Sequence, residues 1–299
     1  MSQPASPLTG LSAFPLTPMR DDAIDEAAFA RLVARLAGSG VDSIAVLGST
    51  GSYAYLSRDE RRLALDVATA EAGDKPVIAG IGAVRASDVL RHAEDAHATG
   101  AAALLLAPVS YQPLSAEEVY DLFAAVDAAG DLPIIVYDNP ATTGFNFTLE
   151  LFGELAKLPR VASIKVQGLP ADRIVARVRL EALRQAAPGL TIGLSGDWQA
   201  ATGIAVGCDA WYSVIAGTLP WLALDLYRVS QQGAGRPAFS RLDPLWSLFR
   251  EYGSLRVVAA IAEHLGLVDE DCLPRPLRGL PPAGRQEVAA VVERFQLRD

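Results

Sequence analysis

The sequence predicts an α/β fold: a (β/α)8 TIM barrel over residues 1–232, followed by a helical extension over residues 233–299. Three observations carry this expectation. Eight short apolar runs recur along the chain, an amphipathic stretch with helical spacing follows each, and past residue 232 the runs stop while helical patterning continues. A parallel strand buried on both faces reads as a near-continuous apolar run, because neither side meets water. Eight such strand–helix units in strict alternation fit a closed parallel barrel better than an open sheet.

Taken in order, the run Gly10–Phe14 leads to the helical pattern Ile24–Ala37, and Ser43–Leu47 leads to Ser57–Ala72. Pro76–Ile81 is followed by Ala86–Thr99, Ala102–Ala107 by Ser115–Ala129, and Pro133–Tyr137 by Thr148–Lys157. Val161–Lys165 precedes Pro170–Ala187, Thr191–Ser195 precedes Trp198–Val206, and Ala210–Val214 precedes Thr218–Gln232. Ser57-Arg-Asp-Glu60 and Ser115-Ala-Glu-Glu118 read as capping boxes, in which a hydroxyl and a glutamate three residues on each satisfy a free backbone N–H. Gly38, Gly40, Gly73, Gly100 and Gly130 stand where helices should stop. The extension reads as helices Leu242–Tyr252, Leu255–Leu265 and Gly284–Leu297, interrupted by the Pro-rich stretch Leu273–Pro282. No low-complexity linker separates it from the barrel, so the two are expected to pack together.

Composition excludes several classes of function. A formal charge of −9 with no basic run argues against nucleic acid and against an anionic membrane surface. The longest apolar run, Ala101–Ala107, is far short of the roughly 20 residues that span a bilayer as a helix. Met1–Gly10 is polar and lacks the regions of a signal peptide, and Cys208 and Cys272 form neither a metal pattern nor a disulfide framework. The cytoplasm is therefore the expected compartment. His92 and His97 are off the i, i+4 spacing that puts two ligands on one helix face, so no metal is expected. Gly193-Leu-Ser-Gly196 is not a nucleophile elbow, and Gly80-Ile-Gly82 lacks the third glycine of a dinucleotide loop, so no cofactor is expected either.

Reacting groups of a TIM barrel sit at the C-terminal ends of strands and in the loops that follow. That rule selects Ser49 and Thr50 after the second strand, Ser110 and Tyr111 after the fourth, and Tyr137 at the end of the fifth. It also selects Lys165 ending the sixth, Gly196 and Asp197 after the seventh, and Tyr212 within the eighth. Lys165 is one of three lysines against 23 arginines. Burial in the barrel mouth disfavours the ammonium and leaves an amine able to attack a carbonyl. A strand-end lysine is equally compatible with snorkelling or with a carboxylate partner. Lys75 and Lys157 lie at turns and helix ends, where a solvated charge is expected. Gly48-Ser-Thr-Gly51 offers hydroxyls and N–H groups for a carboxylate, or is simply a tight turn. Tyr137 can move a proton, or be a buried tyrosine with a satisfied hydroxyl.

The chain resembles the dihydrodipicolinate synthase / N-acetylneuraminate lyase family of class I aldolases. The resemblance rests on the order and spacing of Phe14-Pro-Leu-Thr-Pro18, Gly48-Ser-Thr-Gly51, Leu104-Leu-Leu-Ala-Pro108, Tyr137-Asp-Asn-Pro140, Ser163-Ile-Lys165 and Leu194-Ser-Gly-Asp197. It implies Lys165 as the Schiff-base lysine, Tyr137 as the catalytic tyrosine, with Thr50 assisting proton movement, and Ser49 with Thr50 as the carboxylate-binding pair. It places Gly196 and Tyr212 at the pocket wall and implies a homotetramer built from dimers. The substrate it implies is pyruvate or a related 2-oxo acid, held through Lys165 with no other cofactor.

Two substrate-binding positions depart from the synthases of that family. Ser110 stands where they carry a tyrosine that completes a proton relay, and Thr142 where they carry an arginine that pairs with the second substrate's carboxylate. Sialate lyases use an Asp-Glu pair where this chain has Trp198-Gln199, and an inward Trp198 would narrow a sugar-sized pocket. The expected activity is thus C–C bond formation or cleavage on a 2-oxo acid. The alternatives are 4-hydroxy-tetrahydrodipicolinate synthase proper, a dehydratase or deaminase using the same Schiff base, and a non-catalytic 2-oxo acid binding protein.

Overall fold

The computed structural model describes residues 7–298. Of the polar stretch Met1–Gly10, residues 1–6 lie outside the described residues, as does Asp299. Eight parallel strands close into a barrel: β1 (Gly10–Ala13), β2 (Ser43–Val46), β3 (Val77–Gly80), β4 (Ala103–Leu106), β5 (Ile134–Tyr137), β6 (Val161–Val166), β7 (Thr191–Leu194) and β8 (Ala210–Ser213). Strand β1 pairs with both β2 and β8, which completes the ring. Every strand coincides with a predicted apolar run, and β6 continues one residue further, to Val166.

The covering helices are α1 (Glu26–Ala37), α2 (Arg58–Glu71), α3 (Ala86–Ala98), α4 (Ala116–Ala129), α5 (Leu149–Leu155), α6 (Arg173–Ala186), α7 (Ala200–Val206) and α8 (Pro220–Gln231). Both capping boxes form, Ser57 with Glu60 and Ser115 with Glu118. Gly73 and Gly100 end their helices with left-handed backbone, whereas Gly38 and Gly130 do so without it. Helix α1 shows how these elements hold: Ala28, Phe29, Leu32, Val33 and Leu36 are buried at i, i+3, i+4 spacing against the barrel. Full burial of each large member contributes about 1.5–3 kcal/mol.

Along each strand, alternate residues face the helices and the barrel interior. The interior set forms its own cluster, with Phe14, Ala45, Ile78, Leu105, Ile135, Tyr137 and Tyr212 among its members. The same parity turns Ser163 and Lys165 inward from β6 while Ile164 joins the outer core.

Two features were not legible in the apolar pattern. Met19–Arg20 and Ala23–Ile24 form a small antiparallel ribbon whose turn residues, Asp21 and Asp22, both have positive φ. That turn geometry matches the twist of a two-residue hairpin. The ribbon ties the start of the barrel to the extension, since Met19 N–H donates to Cys272 C=O and Arg20 pairs with Asp269. The extension itself begins with a helix that sequence did not anticipate, α9 (Gly235–Arg241), then α10 (Asp243–Tyr252), α11 (Ser254–His264) and α12 (Pro282–Phe295). Among the described residues, no helix is long and apolar enough to cross a membrane. Both cysteines are free thiols, and burial pushes each up to about 12.

Candidate active site

Tyr137 is the last residue of β5 and Lys165 the residue before the last of β6, and the two are Cα partners in the parallel register. Lys165 is buried, at 5% relative exposure. Its Nζ lies 4.5 Å from the centre of the Phe14 ring and 4.2 Å from that of Tyr137. Among the described residues it has no hydrogen-bond or ion-pair partner, so the solvated and carboxylate-paired alternatives are not the ones the fold adopts. Burial pulls its pKa below the ordinary lysine range, against the opposing influence of Tyr137 and Asp197. Lys157, by contrast, pairs with Glu154 at the surface.

The Tyr137 hydroxyl shares a hydrogen bond of 2.9 Å with Ser49 Oγ and accepts one of 3.0 Å from Asn139 Nδ2. Burial pushes this phenol up. The Lys165 ammonium and the hydrogen bonds with Ser49 and Asn139 outweigh burial, and the net pKa lies below the ordinary tyrosine value.

Ser49 and Thr50 are presented by a turn that the surrounding packing dictates. Leu47 takes a left-handed conformation, and a Cβ at Gly80 of the next strand would lie 1.8 Å from the Leu47 carbonyl oxygen. Only glycine permits that approach. From α2, the buried guanidinium of Arg61 donates to the carbonyls of Gly80 (2.8 Å) and Gly82 (3.0 Å) and lies over the Tyr53 ring. Arg61 thereby anchors the strand against which the Ser49–Thr50 turn packs. Burial lowers its own pKa to about 10. The N–H groups of Ser49 and Thr50 bond to no described residue, so the turn keeps two amides and the Thr50 hydroxyl for an anion, with the Ser49 hydroxyl shared with Tyr137.

These groups meet at a cavity of about 490 Å³ over the C-terminal ends of the strands. Ser49, Thr50, Tyr137, Thr142, Lys165 and Gly196 all line it, and so does Trp198. Gly196 has positive φ, and a Cβ there would lie 2.6 Å from the Gln167 carbonyl oxygen. The neighbouring Asp197 is fastened by the Trp211 indole N–H (3.0 Å) and the Ile215 N–H (2.8 Å), and burial raises its pKa to about 6.

Three sequence-selected residues stand elsewhere. Tyr212 is not in the cavity wall. Its hydroxyl bonds to Ser163, one inward position below Lys165 (3.0 Å), and its ring sits edge-on to Phe14, filling the barrel centre. Ser110 lines a separate hollow of about 150 Å³ with Tyr111 and Phe145, and its hydroxyl donates to the Gln112 carbonyl. Tyr111 is 89% exposed and does not reach the cavity within this chain.

Other lining residues went unselected. Asn139 and Gln167 each follow a chosen residue by two positions, so strand parity could have found them. Phe249, Leu255 and Leu277 come from the extension, and no motif marks them.

Comparison with known proteins bears on the fold and the family. A model of the dihydrodipicolinate synthetase family matches residues 7–295. The 4-hydroxy-tetrahydrodipicolinate synthase of Nitrobacter hamburgensis is 33% identical over 280 residues, 90% of this chain and 91% of that one. The crystal structure of dihydrodipicolinate synthase from Agrobacterium tumefaciens superposes with a TM-score of 0.91 at 45% identity, covering 97% of this chain and 99% of that one. The Acinetobacter baumannii synthase, solved in complex with pyruvate, shares the fold at 23% identity and a TM-score of 0.86, covering 98% and 100% of the two chains. With a closed barrel, a buried strand-end lysine and these likenesses together, the chain belongs to the dihydrodipicolinate synthetase family of aldolase-type lyases.

Proposed function

We propose that this lyase forms a Schiff base between Lys165 and pyruvate or a related 2-oxo acid, and makes or breaks a C–C bond next to it. One observation carries the reading: a buried lysine with no hydrogen-bond or ion-pair partner among the described residues, in register with a tyrosine whose hydroxyl is wired to Ser49. The Ser49–Thr50 turn holds the substrate carboxylate. The neutral Lys165 amine adds to the keto carbon and expels water, and the iminium then draws electrons as the methyl proton leaves. Tyr137, with Thr50 beside it, carries protons to and from the carbinolamine and the second reactant. The adduct itself supplies the electron sink, so no further cofactor enters the scheme.

Borohydride reduction in the presence of pyruvate tests this. Intact mass should rise by one reduced adduct, mapped to the peptide containing Lys165, and Lys165→Ala should gain none. An adduct on Lys75 or Lys157 instead would remove Lys165 from this role.

The reading extends to a homotetramer. Ile174, Val175 and Val178 are exposed together along α6, an apolar face suited to a second copy of the chain. Sedimentation of the native protein and of Val178→Glu measures it, and a monomeric native protein would end this part of the proposal.

A further inference from the structure

We propose that the molecule joined to, or released from, the Lys165-bound 2-oxo acid is an uncharged aldehyde carrying an apolar group, not an acidic semialdehyde. The inference rests on the Schiff-base reading and names the substrate class of that same site. Its first support is charge. Among the described residues, Lys165 is the only cationic side chain lining the cavity, and Asp197 is the only carboxylic acid there. Once Lys165 is an iminium, its charge is balanced by the carboxylate of the 2-oxo acid bound to it. A second carboxylate would leave water for a partly enclosed site with no counter-ion, which is heavily penalised. Thr142, Asn139 and Gln167 offer neutral hydrogen bonds, sufficient for an aldehyde oxygen or a hydroxyl.

Shape and lining give the second support. At about 490 Å³ the cavity is far larger than a three-carbon acid needs. Away from the strand ends its wall is mostly apolar: Val109 and Trp198 from the barrel loops, and Phe249, Leu255 and Leu277 from the extension, with Ser254 among them. Such a wall stabilises a partner by removing apolar surface from water. The step balances without any further reagent. The enamine carbon forms a bond to the aldehyde carbon, and the carbonyl electron pair moves to oxygen, which takes the Tyr137 proton. Water then adds to the iminium, releasing a 4-hydroxy-2-oxo acid and the free amine. The proton lost when the enamine formed restores Tyr137.

The test uses the full chain with pyruvate and, separately, pentanal, benzaldehyde, succinate semialdehyde and aspartate semialdehyde. For at least one of the neutral aldehydes, kcat/KM should exceed that of either semialdehyde by roughly tenfold or more. Borohydride trapping with pyruvate alone runs beside it. A Lys165 adduct with a semialdehyde preferred, or with no aldehyde consumed, overturns this inference and leaves the Schiff-base reading standing. Absence of the adduct brings down both. Leu255→Arg places a cation on the apolar wall. It should lower the neutral-to-acidic ratio by about tenfold while trapping continues, and an unchanged ratio would show that this wall does not meet the second reactant.

Discussion

Tyr137 and Lys165 are register partners on adjacent parallel strands, and the Lys165 Nζ lies 4.2 Å from the centre of the Tyr137 ring. The pairing places a proton carrier beside an amine at the one depth where both face the cavity. Because Tyr137 is the last residue of its strand and Lys165 the last but one of the next, neither can shift without moving the barrel register. The Tyr137 hydroxyl is held further by Ser49 and Asn139, so the base, the phenol and the anion-binding turn form one connected unit.

Tyr137→Phe keeps the ring that packs on Lys165 and removes the hydroxyl. General acid–base groups contribute roughly 10²- to 10⁴-fold, and turnover with the best aldehyde should fall within that range. Trapping of the pyruvate adduct should slow as well. Steady-state kinetics that match the native protein would show that Tyr137 moves no proton.

The rate of adduct trapping should rise with pH and level off below the ordinary lysine pKa of about 10.4. A protonated amine has no lone pair to give, and burial lowers the pKa of Lys165. The same burial destabilises the fold: below the ordinary lysine pKa the unfolded chain binds a proton more readily than the folded one. Lys165→Met should therefore unfold at a higher temperature at pH 7 than the native protein. Calorimetry reading a lower temperature would contradict the burial argument.

Tyr212→Phe separates packing from chemistry. The hydroxyl it removes bonds to Ser163, which still donates to the Thr191 carbonyl at 3.2 Å. Loss of one such bond costs about 1 kcal/mol, visible in denaturant unfolding. Turnover should change far less than in Tyr137→Phe, because Tyr212 lies below the cavity. A fall as deep as that of Tyr137→Phe would place Tyr212 in contact with the reaction.

Asp138 follows Tyr137 but faces outward, where its Oδ1 has no partner among the described residues and burial raises its pKa to about 6. The folded protein binds this proton more tightly than the unfolded chain, so the group's contribution is fully present below about pH 4. It is lost as pH rises through about 6. Asp138→Asn should accordingly be more stable than the native protein at pH 8, with the gap closing between pH 6 and pH 4. A gap that stays constant across thermal scans in that window would assign the effect to packing.

The apolar runs, the amphipathic stretches and the strand-end positions of Ser49, Tyr137 and Lys165 follow from the sequence alone, because strand parity and helical spacing are local properties of the chain. So do the capping boxes at Ser57 and Ser115, whose partners lie three residues away. Local signals failed where they conflict: Gly235 and Pro237 hide α9, and Asp21-Asp22 reads as loop although it turns a ribbon. Depth within the barrel depends on how neighbouring strands are staggered, so only the tertiary structure could put Tyr212 beneath Lys165 and Ser110 in a hollow of its own. The extension decided the rest. Leu255 and Leu277 come from beyond the last barrel strand, far along the chain from Lys165, and still wall its cavity. No periodicity records a contact made by chain segments that meet only after the barrel has closed.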